Sequence, residues 1–178
     1  ILKHADIAMY ECKRNGRNGL RFFDPAMQSA LEQRNALEQD LHLALNKHQL
    51  RLYYQIQVDE SHRALGAEVL IRWIHPEKGL IPPALFIPLA EETGLILPIG
   101  LWVLDTACAQ IKAWENNELT RELVLAVNVS TKQLRQPDFV LQIASLVQRH
   151  AIAPKYLKLE LTESMLLENV EHTVRTMT

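Results

Sequence analysis

Three oxygen-bearing side chains, Glu68, Asn128 and Glu160, each lie near the end of an apolar run whose pattern is typical of a β-strand. Carboxylate and amide oxygens are the ligands that Mg²⁺ and Mn²⁺ prefer, whereas zinc sites draw on Cys and His. Any one of these side chains alone could instead cap a helix or pair with a cation at a strand end. Because all three occupy similar positions on separate strands, we predict that they form one site for a divalent metal ion.

The strand that carries Glu68 presents further functional groups on the same face. Side chains alternate between the two faces of a strand, so Glu68, Leu70 and Arg72 point the same way. Arg72 could hold a phosphate through its planar fork of donors, or it could form an ion pair with Glu68 or Glu160. Gln55 lies midway along an earlier apolar strand, where a buried amide needs a hydrogen-bond partner. The edge of a nucleotide base would supply that partner.

The remaining polar side chains favour structural roles. Glu163 precedes a helix expected to begin near Met165, and a carboxylate in a first helical turn is favoured by the helix dipole. The seven histidines are scattered without the paired spacing of a zinc site. An unrelated metal-dependent barrel, such as an aldolase or enolase relative, would need a lysine or a further set of carboxylates on these strands, and Lys158 alone is weak support for one.

Composition limits the classes of partner. A chain of 178 residues with 48% hydrophobic content can bury the core of one domain with an appendage. The net charge of −2 gives no broad basic surface, so duplex DNA or RNA is not indicated as a partner. Cys12 and Cys108 are far apart in apolar helical contexts, which predicts buried thiols in a reducing, cytoplasmic compartment. The most apolar segment, residues 95–104, is too short to span a bilayer and contains Pro98 and Gly100.

The order of elements predicts an α/β fold with a parallel sheet covered by helices. Strands are expected at 51–58, 65–74, 124–130 and 157–162, and helices at 83–92, 99–115 and 139–150. Such alternation fits either an open doubly wound sheet or a barrel. No glycine-rich phosphate loop follows a strand, and functional groups at strand carboxyl ends are typical of barrels. We therefore predict a partial TIM-like (β/α) barrel.

The first forty residues form a separate part of the sequence. An amphipathic helix ending near Asn15 and Gly16 and a strand at 20–23 precede Asp24 and Pro25, a cap and first-turn pair for a long polar helix. The sequence has no initiator methionine at its start and no helix cap at its end, so we expect an internal fragment. The predicted organisation is a tail at 1–23, a linker helix at 24–40 and the barrel at 41–178.

Several ordered motifs give the sequence a family resemblance. Residues 41–178 resemble the EAL domain, which hydrolyses the bacterial messenger cyclic di-GMP to linear pGpG. The matching segments are 67–73 (AEVLIRW), 74–83 (IHPEKGLIPP), 86–91 (FIPLAE), 128–130 (NVS) and 160–164 (ELTES). Upstream, residues 5–10 (ADIAMY) with Lys13, Gly16, Arg17 and Asn18 resemble the last helix and strand of a GGDEF domain, the cyclase that makes the same messenger. That tail lacks the cyclase signature loop.

The resemblance implies a role for each candidate residue. The metal ligands would be Glu68, Asn128 and Glu160, holding two Mg²⁺ or Mn²⁺ ions in the complete domain. The cyclic di-GMP site would comprise Gln55, Leu70 and Arg72, and Glu163 would join Glu68 in the catalytic set by steadying a catalytic loop. Two departures are Val69, where the family commonly has alanine, and Ile56, where proline commonly follows the glutamine.

The resemblance also implies what this chain lacks. The family's aspartate pair, catalytic lysine and last glutamate would all follow Thr178, so we expect the fragment to be inactive although its parent is an enzyme. The main rival is a degenerate EAL receptor that binds cyclic di-GMP without cutting it. A metal-dependent barrel of the aldolase or enolase type is a third interpretation. Family members often form homodimers, and a parent protein could carry upstream sensory or membrane-anchoring segments.

Overall fold

The computed structural model describes residues 4, 5, 9 and 22–161. The chain separates into two compact units, residues 1–43 and 44–178. Helix α1 spans Pro25–Ala44, and all of it but Ala44 belongs to the first unit. The Asp24 carboxylate accepts a hydrogen bond of 2.9 Å from the Ala26 amide, which confirms the predicted cap.

The short strand predicted at 20–23 is wrong for its described part. Phe22 and Phe23 have no regular secondary structure, because a strand requires a hydrogen-bonded partner that sequence propensity does not supply. The other predictions for the first residues lie largely outside the described residues, and so do Cys12 and the helix expected near Met165.

The described part of the second unit is built on a five-stranded sheet. Its strands are β1 (Leu50–Val58), β2 (Ala64–His75), β3 (Gly79–Ile81), β4 (Val124–Val129) and β5 (Leu157–Leu161). The order across the sheet is β1-β2-β4-β5, and the short β3, which the sequence did not reveal, pairs with β2. Pairing of β2 with β4 and of β4 with β5 is parallel, as the alternation of strands and helices predicted.

Strand β1 departs from the predicted parallel sheet, because it pairs with β2 in the antiparallel direction. Only residues 59–63 connect the two strands, and a parallel connection needs a crossover of a dozen or more residues. Asp59 shapes this turn by accepting hydrogen bonds of 2.9 Å from the Ser61 and Arg63 amides. His62 adopts the left-handed conformation there, with a φ of 62°. The short connection therefore decides the strand direction.

Helices link the parallel strands. They are α2 (Pro83–Thr93), α3 (Ile96–Trp114), α4 (Thr131–Leu134) and α5 (Phe139–His150), and a 3₁₀ turn at Pro154–Tyr156 leads into β5. Helix α5 has the predicted bounds, whereas α3 begins three residues before the predicted start at residue 99. Pro98 is tolerated there because the first turn of a helix leaves its amide N–H groups unpaired.

One face of the sheet is covered by helices and forms the core. Val69, Trp73, Leu125 and Val127 point to this face and are at most 4% exposed. The Trp73 ring meets the edge of the Phe86 ring from α2, with centroids 5.6 Å apart. Since side chains alternate along a strand, the residues between them project from the opposite face, where the candidate functional groups lie.

Helix α3 is the most apolar helix of this core. It is long and apolar enough to cross a membrane by length and composition alone, whereas the sequence suggested that its apolar stretch was too short. Eight of its residues are buried in the domain, and it packs against β4 and α5. Among them, Cys108 is a free thiol with no exposed surface, and burial, followed by the charge of Asp105, raises its pKa to about 11. The predicted buried thiol at Cys108 is therefore confirmed.

Candidate functional site

The strand register brings the predicted site residues onto one face of the sheet. Gln55 of β1 lies opposite Glu68 of β2. Glu68 is in turn the register partner of Ala126 on β4, and Asn128, two residues further on, is the partner of Glu160 on β5. Register partners in adjacent strands point to the same face. Four predicted residues from four different strands therefore share the face opposite the helix-covered core.

Glu68 and Asn128 are in direct contact. The Asn128 side-chain amide donates a hydrogen bond of 2.7 Å to the Glu68 carboxylate, from β4 to the adjacent strand β2. Glu68 is half-buried, whereas Asn128 is exposed. The amide thus presents its nitrogen to the carboxylate.

This contact fits a pair of metal ligands. Two oxygens that occupy adjacent corners of an octahedral Mg²⁺ shell lie about 2.9 Å apart. A half-turn of the Asn128 amide would place its oxygen where the nitrogen now lies, at nearly that spacing from the Glu68 carboxylate. Among the described residues, no cluster of three or more His, Cys, Asp and Glu side chains is arranged to hold a metal ion. The candidate set consists instead of two carboxylates and one amide.

Glu160 has a partner that the sequence analysis did not assign. The Lys158 ammonium lies 2.9 Å from the Glu160 carboxylate, and the two side chains are 59% and 27% exposed. They are two residues apart on one strand, which puts them on the same face, and this spacing is the signal that could have revealed the pair. The positive charge beside Glu160 is therefore Lys158, where Arg72 had been considered.

Arg72 packs against an aromatic ring. Its guanidinium carbon lies 5.7 Å from the centroid of the Tyr53 ring, and its Nη1 donates a hydrogen bond of 2.9 Å to the Ile71 carbonyl. Tyr53 is 55% exposed and lies opposite Leu70 in the register. The aromatic face holds the guanidinium plane through a cation–π contact. Tyr53 is thus a site residue that the sequence analysis missed, although its position two residues before Gln55 placed it on the same face.

Gln55 is exposed, which corrects one step of the sequence argument. The expectation that a buried amide there needs a partner does not apply, because β1 lies at the edge of the described sheet and water reaches the side chain. The amide remains open on the same face as Glu68. Glu163 lies outside the described residues.

A cavity of about 260 Å³ adjoins these groups. It lies beside the end of β4 and residues 69–72 of β2, and Leu70, Arg72 and Asn128 contribute to its wall together with residues from α2, α3 and α4. The carboxyl ends of parallel strands are the usual location of ligand sites in α/β folds. The structure therefore brings Leu70 and Arg72 to the same pocket as Asn128.

The fold and the pocket together define a truncated, TIM-barrel-like α/β domain with its polar groups on the face opposite the helices. The chain belongs to the EAL domain family, whose model matches residues 37–178. It is 40% identical over 172 residues to the bifunctional diguanylate cyclase/cyclic di-GMP phosphodiesterase MucR of Pseudomonas aeruginosa, covering 96% of this chain and 25% of MucR. It is 37% identical over 171 residues to the cyclic di-GMP phosphodiesterase PdeR of Escherichia coli, covering 96% of this chain and 26% of PdeR.

Solved structures give the same family. A MucR phosphodiesterase in complex with cyclic di-GMP matches with a TM-score of 0.76 and 39% identity, over 79% of this chain and 57% of the other. The EAL enzyme Bd1971, bound to cAMP and cyclic di-GMP, matches with a TM-score of 0.77 and 26% identity, over 85% of this chain and 42% of the other. The chain spans about a quarter of the length of the curated relatives above.

Proposed function

We propose that this chain is part of a metal-dependent phosphodiesterase domain that hydrolyses cyclic di-GMP to linear pGpG. The observation that carries the proposal is the contact between Asn128 and Glu68, with Glu160 in register beside Asn128. Three hard-oxygen donors thus lie on neighbouring strands of one face of the sheet. The similarity to MucR and PdeR supports the choice of substrate.

The chain's own residues suit a cyclic dinucleotide. Arg72, oriented by the Tyr53 ring, keeps planar donors for a phosphodiester oxygen. Gln55 carries both a donor and an acceptor, which can pair with a base edge, and Leu70 adds apolar surface between them. Bound Mg²⁺ or Mn²⁺ would lower the pKa of a water molecule and stabilise the charge that develops on the phosphodiester. Glu163 belongs to the proposed catalytic set as the residue that steadies the adjoining loop.

The metal role of Glu68 is tested by Glu68→Ala in the full-length protein, with pGpG release measured over a range of Mn²⁺ or Mg²⁺ concentrations. Loss of the carboxylate should abolish turnover, because Asn128 and Glu160 alone would hold a divalent ion poorly. Glu118→Ala is the matched control, since Glu118 is an exposed carboxylate in the connection before β4. Turnover that survives Glu68→Ala and still requires metal would reject the assignment.

A receptor that binds cyclic di-GMP without hydrolysis is the second candidate. The Lys158 ammonium already forms an ion pair with Glu160, and the Asn128 amide already donates a hydrogen bond to Glu68, so each carboxylate has a partner without a metal ion. A receptor would bind cyclic di-GMP with equal affinity in EDTA and in Mn²⁺ and would release no pGpG. The enzyme would release pGpG only with metal.

Three further proposals concern the parent protein. The family model begins at residue 37, yet the similarity to bifunctional MucR covers 96% of the chain, which supports a GGDEF tail at residues 1–23. The chain spans 57% of the MucR phosphodiesterase structure, so we propose that these 178 residues alone are inactive. The buried free thiol of Cys108 fits a cytoplasmic location.

A further inference from the structure

We infer that Gln133 is a positioning residue for Asn128, acting through the turn that ends β4. The inference rests on the proposed metal role of Asn128 and adds a residue that acts on Asn128 through the backbone. Gln133 lies in the short helix α4, which the sequence analysis did not predict. It is one of two polar side chains among the buried residues of the described chain, with an exposed fraction of 6%.

Gln133 closes a reciprocal capping box with Ser130. The Ser130 backbone N–H donates a hydrogen bond of 3.2 Å to Oε1 of Gln133, and the Ser130 hydroxyl accepts one of 3.3 Å from the Gln133 backbone N–H. The hydroxyl also donates to the same Oε1, at 3.0 Å. A capping box fixes the entry of the chain into a helix. Here it fixes the backbone at Ser130, two residues after Asn128.

Gly100 of α3 holds the Gln133 side chain from the other side. A Cβ built on Gly100 would lie 2.1 Å from Nε2 and 2.3 Å from Cδ of Gln133, so only glycine leaves space for the amide. Glycine in a helix interior is destabilising relative to alanine. The close approach gives a physical reason for glycine at this position. It also leaves the amide little freedom to swing away from Ser130.

The capping box and the functional groups meet in one cavity. Asn128, Ser130 and Gln133 line the space of about 260 Å³ together with Gly100 and Arg72. Val129, between Asn128 and Ser130, is 2% exposed and packed into the core. With Val129 and Ser130 both fixed, the direction of the Asn128 side chain follows from the backbone. Ligand oxygens must be held within about 0.5 Å of their productive positions, so this support should determine metal affinity.

The test is a titration of the full-length protein with Mn²⁺, in which electron paramagnetic resonance measures the concentration of free Mn²⁺. Gln133→Met keeps the length of the side chain and removes the acceptor, so Mn²⁺ binding should weaken roughly tenfold, as is typical when the support of a metal ligand is lost. Gln133→Glu keeps an acceptor for the Ser130 amide and should bind Mn²⁺ close to wild type. Gln142→Met, on α5 outside the cavity, is the matched control and should leave the affinity unchanged.

Hydrolysis adds a readout that a purely structural role would not move. For Gln133→Met, the rate should fall at low Mn²⁺ and recover at saturating Mn²⁺, with an unchanged KM for cyclic di-GMP. Gly100→Ala displaces the amide without removing it and should shift the Mn²⁺ affinity in the same direction. This variant tests the inference should Gln133→Met not fold.

Two results would overturn the inference. One is equal Mn²⁺ affinity in wild type and Gln133→Met, and the other is a Gln133→Glu variant as weak as Gln133→Met. Glu68→Ala measured in parallel separates the two levels of the argument. If only Glu68→Ala loses Mn²⁺, the positioning role of Gln133 is wrong and the metal site stands. If neither variant loses Mn²⁺, the metal site itself is wrong.

Discussion

Lys158 should weaken metal binding at Glu160, so Lys158→Met should strengthen it. The ammonium lies 2.9 Å from the Glu160 carboxylate oxygen that a metal ion would need. A Mn²⁺ ion bound to Glu160 would either displace the lysine side chain or accept its charge nearby. Methionine keeps the aliphatic stem and removes only the charge.

The size of the effect follows from the distances. With the metal about 2.1 Å from its ligand oxygen and the ammonium 2.9 Å beyond, the two cations would be about 5 Å apart. A double and a single positive charge at that distance repel by about 1.7 kcal/mol in a medium like water, and salt at 0.15 M reduces this to about 1 kcal/mol. If the lysine is displaced instead, breaking the partly exposed ion pair costs at most about 1 kcal/mol. Either case predicts roughly fivefold tighter Mn²⁺ binding in Lys158→Met.

Calorimetric titration of the full-length protein with Mn²⁺ measures this gain directly. Lys155→Met serves as the control, because Lys155 is an exposed lysine just before β5, on the 3₁₀ turn. The gain should shrink as NaCl is raised, since the repulsion is screened. Unchanged or weaker Mn²⁺ affinity in Lys158→Met would refute the idea that Glu160 ligates the metal beside this lysine.

Two other predictions concern the stability of the domain. Gly66→Ala should lower the free energy of unfolding by about 1–3 kcal/mol in urea titrations, because the new Cβ would lie 2.3 Å from the Val124 carbonyl oxygen and force β2 and β4 apart; an unchanged midpoint would contradict this close packing. Burial alone would raise the pKa of Asp105, but hydrogen bonds and positive charge from His150 and Arg149 lower it. This carboxylate therefore stabilises the domain fully above its ordinary pKa of 3.8. That contribution is lost as the pH falls through the lower pKa of the folded state. The urea midpoint should therefore fall more steeply below pH 4 in wild type than in Asp105→Asn, and parallel pH profiles would argue against the linkage.

Side-chain periodicity predicted much of the fold. The apolar runs around Glu68, Asn128 and Glu160 form strands β2, β4 and β5 in parallel pairing, and helix α5 has the expected bounds. The predicted parallel direction was wrong for β1, because the direction depends on the short connection at 59–63 and not on the strand's own pattern. Helix α4 was missed because its four residues are stabilised by the capping box of Ser130 and carry too little periodicity to be recognised.

The same distinction holds for the site. Alternation along β2 put Glu68, Leu70 and Arg72 on one face, and the structure keeps them there. The contact of Asn128 with Glu68 depends on the register between two strands about sixty residues apart in sequence, which a single strand does not encode. The closeness of Gln133 to Gly100 joins two helices and likewise has no local signature.

Because β1 and β2 form a hairpin, we expect the two halves of the candidate site to form at different stages of folding. Gln55 and Glu68 meet across a tight turn, so their half of the pocket closes a small loop at low cost in chain entropy. Asn128 lies on β4, which follows two helices in the sequence. Pairing of β4 with β2 joins distant segments of the chain and is therefore slower than hairpin formation. During synthesis from the N-terminus, we therefore expect the β1–β2 hairpin, which carries Glu68, to form before β4 pairs with it and adds Asn128.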